Sequence, residues 1–264
     1  MKIVLDINQS LEENAEVYFE RAKKAKKKIE TIKNIVNRFE KELQDIEKNK
    51  EKEMQQMLLE EEKKKQKSLR EKKWYEKFHW FYSSEEFLCI GGRDATSNEI
   101  VIKKHTEKDD IVFHTDAPGS PFFVVKTEGK KIGEQTIKEV AQATASYSKA
   151  WKIGVSSSEV FHVSPDQISK EAKTGEFIAR GAFMVYGKRN YVKSELTLAI
   201  GIKNGQVIGG PVDSIMSQTD KCLIIVQGDE KTSDVAKKIQ RQLGGDLDDI
   251  VGFLPAGGCK LHKN

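Results

Sequence analysis

The first ninety residues of the chain contain no glycine and no proline. Glycine weakens a helix through backbone entropy, and proline through a missing donor and a clash with the preceding turn. With neither present, and with Lys, Glu and Gln in abundance, this stretch is predicted to be helical. Cysteine is also scarce. The three, at 89, 222 and 259, form no CxxC pair, and their odd number argues against a disulfide framework. Cys89 and Cys222 sit inside apolar runs and read as core residues. No apolar run approaches the ~20 residues of a membrane span, and the N-terminus has no hydrophobic signal region. A cytoplasmic protein without a membrane partner is the expectation.

Familiar catalytic signatures are missing too. There is no GxxxxGK[ST], no GxGxxG after a strand, no HExxH among the five histidines and no nucleophile elbow. The Gly91-Gly92 and Gly209-Gly210 pairs read as turn glycines. Asp246, Asp248 and Asp249 read as a solvated loop in preference to a metal site. The expectation is a protein that is not an enzyme and has no cofactor, metal or small-molecule substrate. A hydrolase built on His114 and Asp116 would need a nucleophile near His114.

Net charge is small and unevenly spread. Positions 1–79 hold 21 Lys+Arg against 17 Asp+Glu, whereas positions 80–264 hold 24 of each. The C-terminal part is therefore not basic in bulk, and any nucleic-acid contact there needs a local basic face.

What is present begins with a heptad. Leu11, Ala15, Tyr18, Ala22, Ala25, Ile29, Ile32, Val36, Phe39, Leu43 and Ile46 keep a strict 4–3 spacing, the period of left-handed coiled coils. Ser10 and Glu13 offer a capping box at its start. Apolar residues then thin out to Met54, Met57, Leu58 and Leu69. This pattern predicts an antiparallel hairpin with its tip at Glu47–Lys52, and a continuous helix is the alternative. The lysines of Lys23–Lys28 point away from the seam, as a solvated face or an rRNA-facing stripe.

After Trp74 aromatics rise and strand and helix patterns alternate. Strands are predicted at 87–90, 111–114, 122–126, 161–163, 183–186, 191–193, 196–202, 207–208 and 222–227. Helices are predicted at 97–105, 136–149 and 233–243. The fold class is α+β, a mixed α/β globular domain behind a coiled-coil hairpin. The expected divisions are 1–79 for the hairpin, 80–195 for a domain core and 196–264 for an extension of that domain.

Gly91–Glu99 (GGRDATSNE) packs two glycines, an opposite-charge pair and a cap into nine positions. It reads either as a strand-to-helix turn capped by Thr96 with Glu99, or as a phosphate-facing edge using Arg93, Asp94 and Asn98. Lys103 and Lys104 suit a helix C-terminus or RNA. Lys170, Arg180, Lys188 and Arg189 are candidate phosphate contacts, the last two at the tip of a hairpin expected between the strands at 183–186 and 191–193. His114 and Asp116 are expected to bond each other and shape the Pro118-Gly119 loop. Trp151 is weighed as core against a stacking surface.

Several of these segments resemble the NFACT family. Trp80–Lys104, Phe113–Lys126, Ser146–Trp151 and Val163–Val192 resemble its RNA-binding domain, in the expected order. The leading Leu5–Lys28 also resembles the family, and the region from Leu196 onward is most similar to its archaeal members; the family also includes RqcH, nuclear-export mediator factor and fibronectin-binding-type proteins. The resemblance implies tRNA or rRNA binding on stalled large ribosomal subunits and support of C-terminal alanine tailing, with alanyl-tRNA and the large subunit as partners. It implies RNA contacts at Arg93, Asp94, Asn98, Lys103, Lys104, Lys170, Arg180, Lys188 and Arg189, with Thr96, Glu99, His114, Asp116 and Trp151 shaping the site. In the family an N-terminal NFACT domain and a helix-hairpin-helix segment precede this region and carry much of the amino-acid selectivity. An RNA-binding adaptor whose coiled coil docks a protein partner, unrelated to tailing, is the alternative.

Overall fold

A computed structural model describes residues 4–8, 10–69, 72–171 and 178–262. It divides into two compact units, 1–72 and 73–264.

The first unit is one helix, α1 (Leu11–Leu69), of 59 residues. Its start carries the expected capping box: Ser10 Oγ accepts from Glu13 N at 3.2 Å and Glu13 Oε2 from Ser10 N at 2.7 Å. The expected hairpin is not what the chain adopts, because the helix runs through Glu47–Lys52 without a turn. Nothing in that segment stops a helix, as it has no breaker and consists of strong helix formers. The seam consequently stays exposed, with Ile32 57% and Leu43 59% accessible.

The second unit is built on antiparallel sheets. Strands β1 (His79–Tyr82), β2 (Leu88–Gly91), β3 (Ile111–His114), β4 (Phe123–Lys126), β5 (Ser157–Val163) and β8 (Asn190–Glu195) form a six-stranded sheet ordered β1-β2-β4-β3-β5-β8. A four-stranded sheet, β10-β9-β11-β12, follows from β9 (Leu198–Lys203), β10 (Gln206–Gly210), β11 (Cys222–Glu230) and β12 (Cys259–Leu261). Among the described residues, the short β6 (Ile168–Ser169) and β7 (Met184–Val185) pair only with each other. The predicted strands at 183–186 and 191–193 therefore do not form a hairpin. They go to different partners, β7 to β6 and β8 to β5.

The helices are α2 (Ala95–Lys104), α3 (Glu134–Ser146), α4 (Lys149–Ile153), α5 (Val212–Met216), α6 (Thr232–Leu243) and α7 (Leu247–Phe253). The acidic cluster is a cap and not a solvated loop: Asp246 accepts from the backbone N–H of Asp248 and Asp249 and starts α7. One apolar core runs through both sheets, from Phe81 and Phe123 to Ile200, Ile225 and Phe253. Gly209 and Gly210 belong to β10 instead of a turn. A Cβ on Gly209 would meet the Phe253 side chain at 2.7 Å and one on Gly210 the Phe81 side chain at 2.9 Å, so Gly209 lets α7 pack closely on β10 and Gly210 lets the second sheet approach the first. No helix among the described residues is long and apolar enough to cross a membrane.

Candidate nucleic-acid interface

The GGRDATSNE segment links β2 to α2, and its hydrogen bonds differ from the expected ones. Asp94 is the N-cap. Its Oδ1 accepts from Ser97 N at 2.7 Å, and Ser97 Oγ accepts from the backbone N–H of Arg93 and Asp94, each at 2.8 Å. The box is thus Asp94 with Ser97, and the helix starts at Ala95, two residues before the predicted start. Thr96 is an exposed first-turn residue and does not cap. The Asp94 carboxylate occupies the helix N-terminus, and hydrogen bonds from Ser97 hold it below the usual carboxylate range.

Asn98 turns inward. Its Oδ1 accepts from Phe122 N at 3.0 Å, and a Cβ at Gly92 would lie 2.1 Å from that same oxygen, so glycine is required there. Arg93 folds back, with Nη2 donating to the Phe78 carbonyl at 3.0 Å. Burial of its guanidinium lowers the Arg93 pKa. Glu99 ties another segment to the helix instead of completing a cap: Oε1 pairs with Lys170 Nζ at 2.7 Å, and Lys103 Nζ lies 3.8 Å from Oε2. Lys170 also donates to the carbonyls of Ala179 and Ala182 and lies 5.0 Å from the centre of the Phe183 ring.

The expected His114–Asp116 bond is absent. His114 Nε2 lies 3.2 Å from the Ser120 carbonyl, and the ring stacks on Phe122 at 4.0 Å. A carbonyl only accepts, so Nε2 carries the proton. Burial pushes the His114 pKa down to about 4. Asp116 instead takes Arg189 Nη1 at 2.5 Å, because the turn after β7 brings that arginine over the Phe161 ring, 4.8 Å from its centre. Trp151 is core: it is 2% exposed, and Nε1 donates to the Gly258 carbonyl at 3.0 Å.

Some of these residues line an open cleft of about 380 Å³, walled by Arg93, Asn98, His114, Phe122, Tyr147 and Arg180 among others. Tyr147, which sequence reasoning missed, is half-buried, stacks on His79 at 3.9 Å and donates to the Phe253 carbonyl at 2.8 Å. Arg180 and Lys188 are exposed and form no ion pair among the described residues. Of the predicted set, Arg93, Asp94, Asn98, His114 and Arg180 line the cleft. Lys103 and Lys104 stand at the far end of α2.

Residues 77–187 match the model of the NFACT protein RNA binding domain. The archaeal Rqc2 homolog aRqcH of Methanocaldococcus jannaschii is 40% identical over 202 residues, 74% of this chain and 30% of that protein. The chain belongs to the NFACT family. Within it, the ribosome quality control complex subunit NEMF of Homo sapiens is 41% identical over 126 residues, 47% of this chain and 11% of that protein. The corresponding Drosophila melanogaster homolog is 39% identical over 135 residues, 50% of the chain and 14% of the protein. The chain thus spans less than a third of each of these relatives. The solved C-terminal part of the fibronectin/fibrinogen-binding protein from Streptococcus suis has a TM-score of 0.39 and 16% identity, covering 48% of this chain and 47% of that one. That likeness is too slight to bear on the fold.

Proposed function

We propose that this NFACT chain is the RNA-binding part of a cytoplasmic ribosome quality-control factor. It binds tRNA or rRNA on stalled large ribosomal subunits and supports alanine tailing by helping to hold alanyl-tRNA, with no catalytic step of its own. Support comes from relatives named as ribosome quality control subunits and from the matched RNA-binding domain. The observation that carries the reading is a cleft with the exposed Arg180 on its wall, where its charge acts on Asp94 without forming an ion pair, together with a turn after β7 that presents Lys188, which has no ion-pair partner among the described residues. Such charges supply affinity for phosphate and little sequence information.

Two measurements test it. The chain should co-sediment with large subunits carrying peptidyl-tRNA. Replacing Arg180 and Lys188 together with Ala should weaken tRNA binding and reduce the slope of log affinity against log salt by about one unit per lost contact. Unchanged affinity and slope would remove these residues from the interface.

The exposed seam of α1 favours the addition of a protein partner. A coiled-coil face of this length is stable only when covered.

A further inference from the structure

The turn after β7 places two accessible tyrosines on either side of its cations. Tyr186 is 41% and Tyr191 49% exposed, and Lys188 and Arg189 lie between them in sequence. An aromatic ring exposed on one face is available to stack on a base. Tyr191 is also firmly mounted. It is the register partner of Phe161 across β5 and β8, and the two rings meet edge to face at 6.0 Å. Phe161 is in turn opposite His114 on β3. Beneath Tyr191 the row continues through His114, stacked on Phe122, which meets Phe183 edge to face at 5.4 Å.

The backbone of the turn is held as well. Tyr186 N donates to the Gln167 carbonyl at 2.8 Å, and Gln167 Nε2 donates to the carbonyls of Tyr186 and Lys188. Asp116 fixes Arg189 over Phe161. The two tyrosines are thus rigid where they attach and open where they face solvent, and Lys188 between them has no ion-pair partner among the described residues.

Resting on the RNA-binding reading above, we propose that Tyr186 and Tyr191 form a stacking platform for unpaired nucleotides, with Lys188 taking the phosphate between them. A base inside a duplex has both faces covered by its neighbours, so only a loop, bulge or single-stranded end can offer a free face. The class of ligand is therefore single-stranded RNA, recognised with little preference among bases because every base has a π face.

The test compares two RNAs, a short oligouridylate and a blunt hairpin duplex of equal length, titrated against the full chain by fluorescence anisotropy. Tyr186→Ala with Tyr191→Ala should weaken oligouridylate binding by roughly five- to 150-fold for each base that loses its stack. The salt slope should stay unchanged, since no phosphate contact is lost. Duplex binding should be spared, and Phe at both positions should retain oligouridylate affinity. Circular dichroism melting of each variant separates loss of fold from loss of stacking. Equal weakening for both RNAs in a folded variant, or no weakening for either, overturns the platform alone. If the unaltered chain binds neither RNA, the RNA-binding reading falls and the platform with it.

Discussion

At the residue scale, the GGRDATSNE segment shows how one helix start can be read in two ways. Ser, Thr and Asp all cap helices, and both Asp94-x-x-Ser97 and Thr96-x-x-Glu99 have the right spacing. The structure uses the first. The deciding facts are tertiary: Asn98 must reach Phe122 N, and Glu99 must reach Lys170. Neither contact is local, so no window of sequence contains it. Replacing Asp94 with Ala should cost about 0.5–2 kcal/mol of stability for the lost cap. Glu99→Ala should leave the cap intact and cost less. Thermal melts of the two variants, ranked the other way, would restore the Thr96–Glu99 box. Arg93→Ala should lower stability by about 1 kcal/mol, the net value of a hydrogen bond, because its guanidinium serves the Phe78 carbonyl. If melting is unchanged while tRNA affinity falls, Arg93 is a phosphate contact after all.

At the element scale, most strands and helices of the second unit were legible. The run Ile111–His114 coincides with β3, and Cys222 opens β11 as expected. Period-two and period-3.6 patterns carry this information locally. Strand partnership was not legible, since β7 and β8 look like a hairpin and join different sheets. Short strands joined by a Gly-containing turn do not state where their other edges bond. The hairpin expected of the first unit failed for a related reason. A heptad states that a seam wants a partner and leaves open which helix supplies it. Because α1 buries little of that seam, Ile32→Glu with Val36→Glu should leave the melting temperature of the second unit unchanged. A shift of several degrees in a calorimetric scan would mean the seam is covered in solution.

At the scale of the whole molecule, stability should fall on mild acidification. Burial pushes the pKa of His114 from 6.5 to about 4 and that of His79 to about 3, and burial lowers His105 and His162 as well. As pH drops below 6.5 the unfolded chain binds protons at these positions while the folded chain does not. The unfolded state therefore gains, and stability declines progressively toward those lower values. His79→Phe with His114→Phe should flatten the decline between about pH 6.5 and 5, read as melting temperature against pH. A melting temperature that rises on acidification would contradict the buried, neutral histidines. None of this was visible in the sequence, where His79 is one more aromatic among several and its stacking on Tyr147 spans two distant elements.

The contacts that close the core also fix when it can form. Tyr147 donates to the carbonyl of Phe253, and Trp151 to that of Gly258, each across more than a hundred residues. β12 completes the second sheet only at Cys259–Leu261. During synthesis, Trp80 of the six-stranded sheet, which meets Phe253 edge to face, and Trp151 of α4 must therefore wait without these partners until residues beyond 250 have cleared the exit tunnel. Loop closures of this length slow folding, and the waiting intermediate exposes apolar surface. A ribosome that pauses while translating this region would hold an aggregation-prone nascent chain.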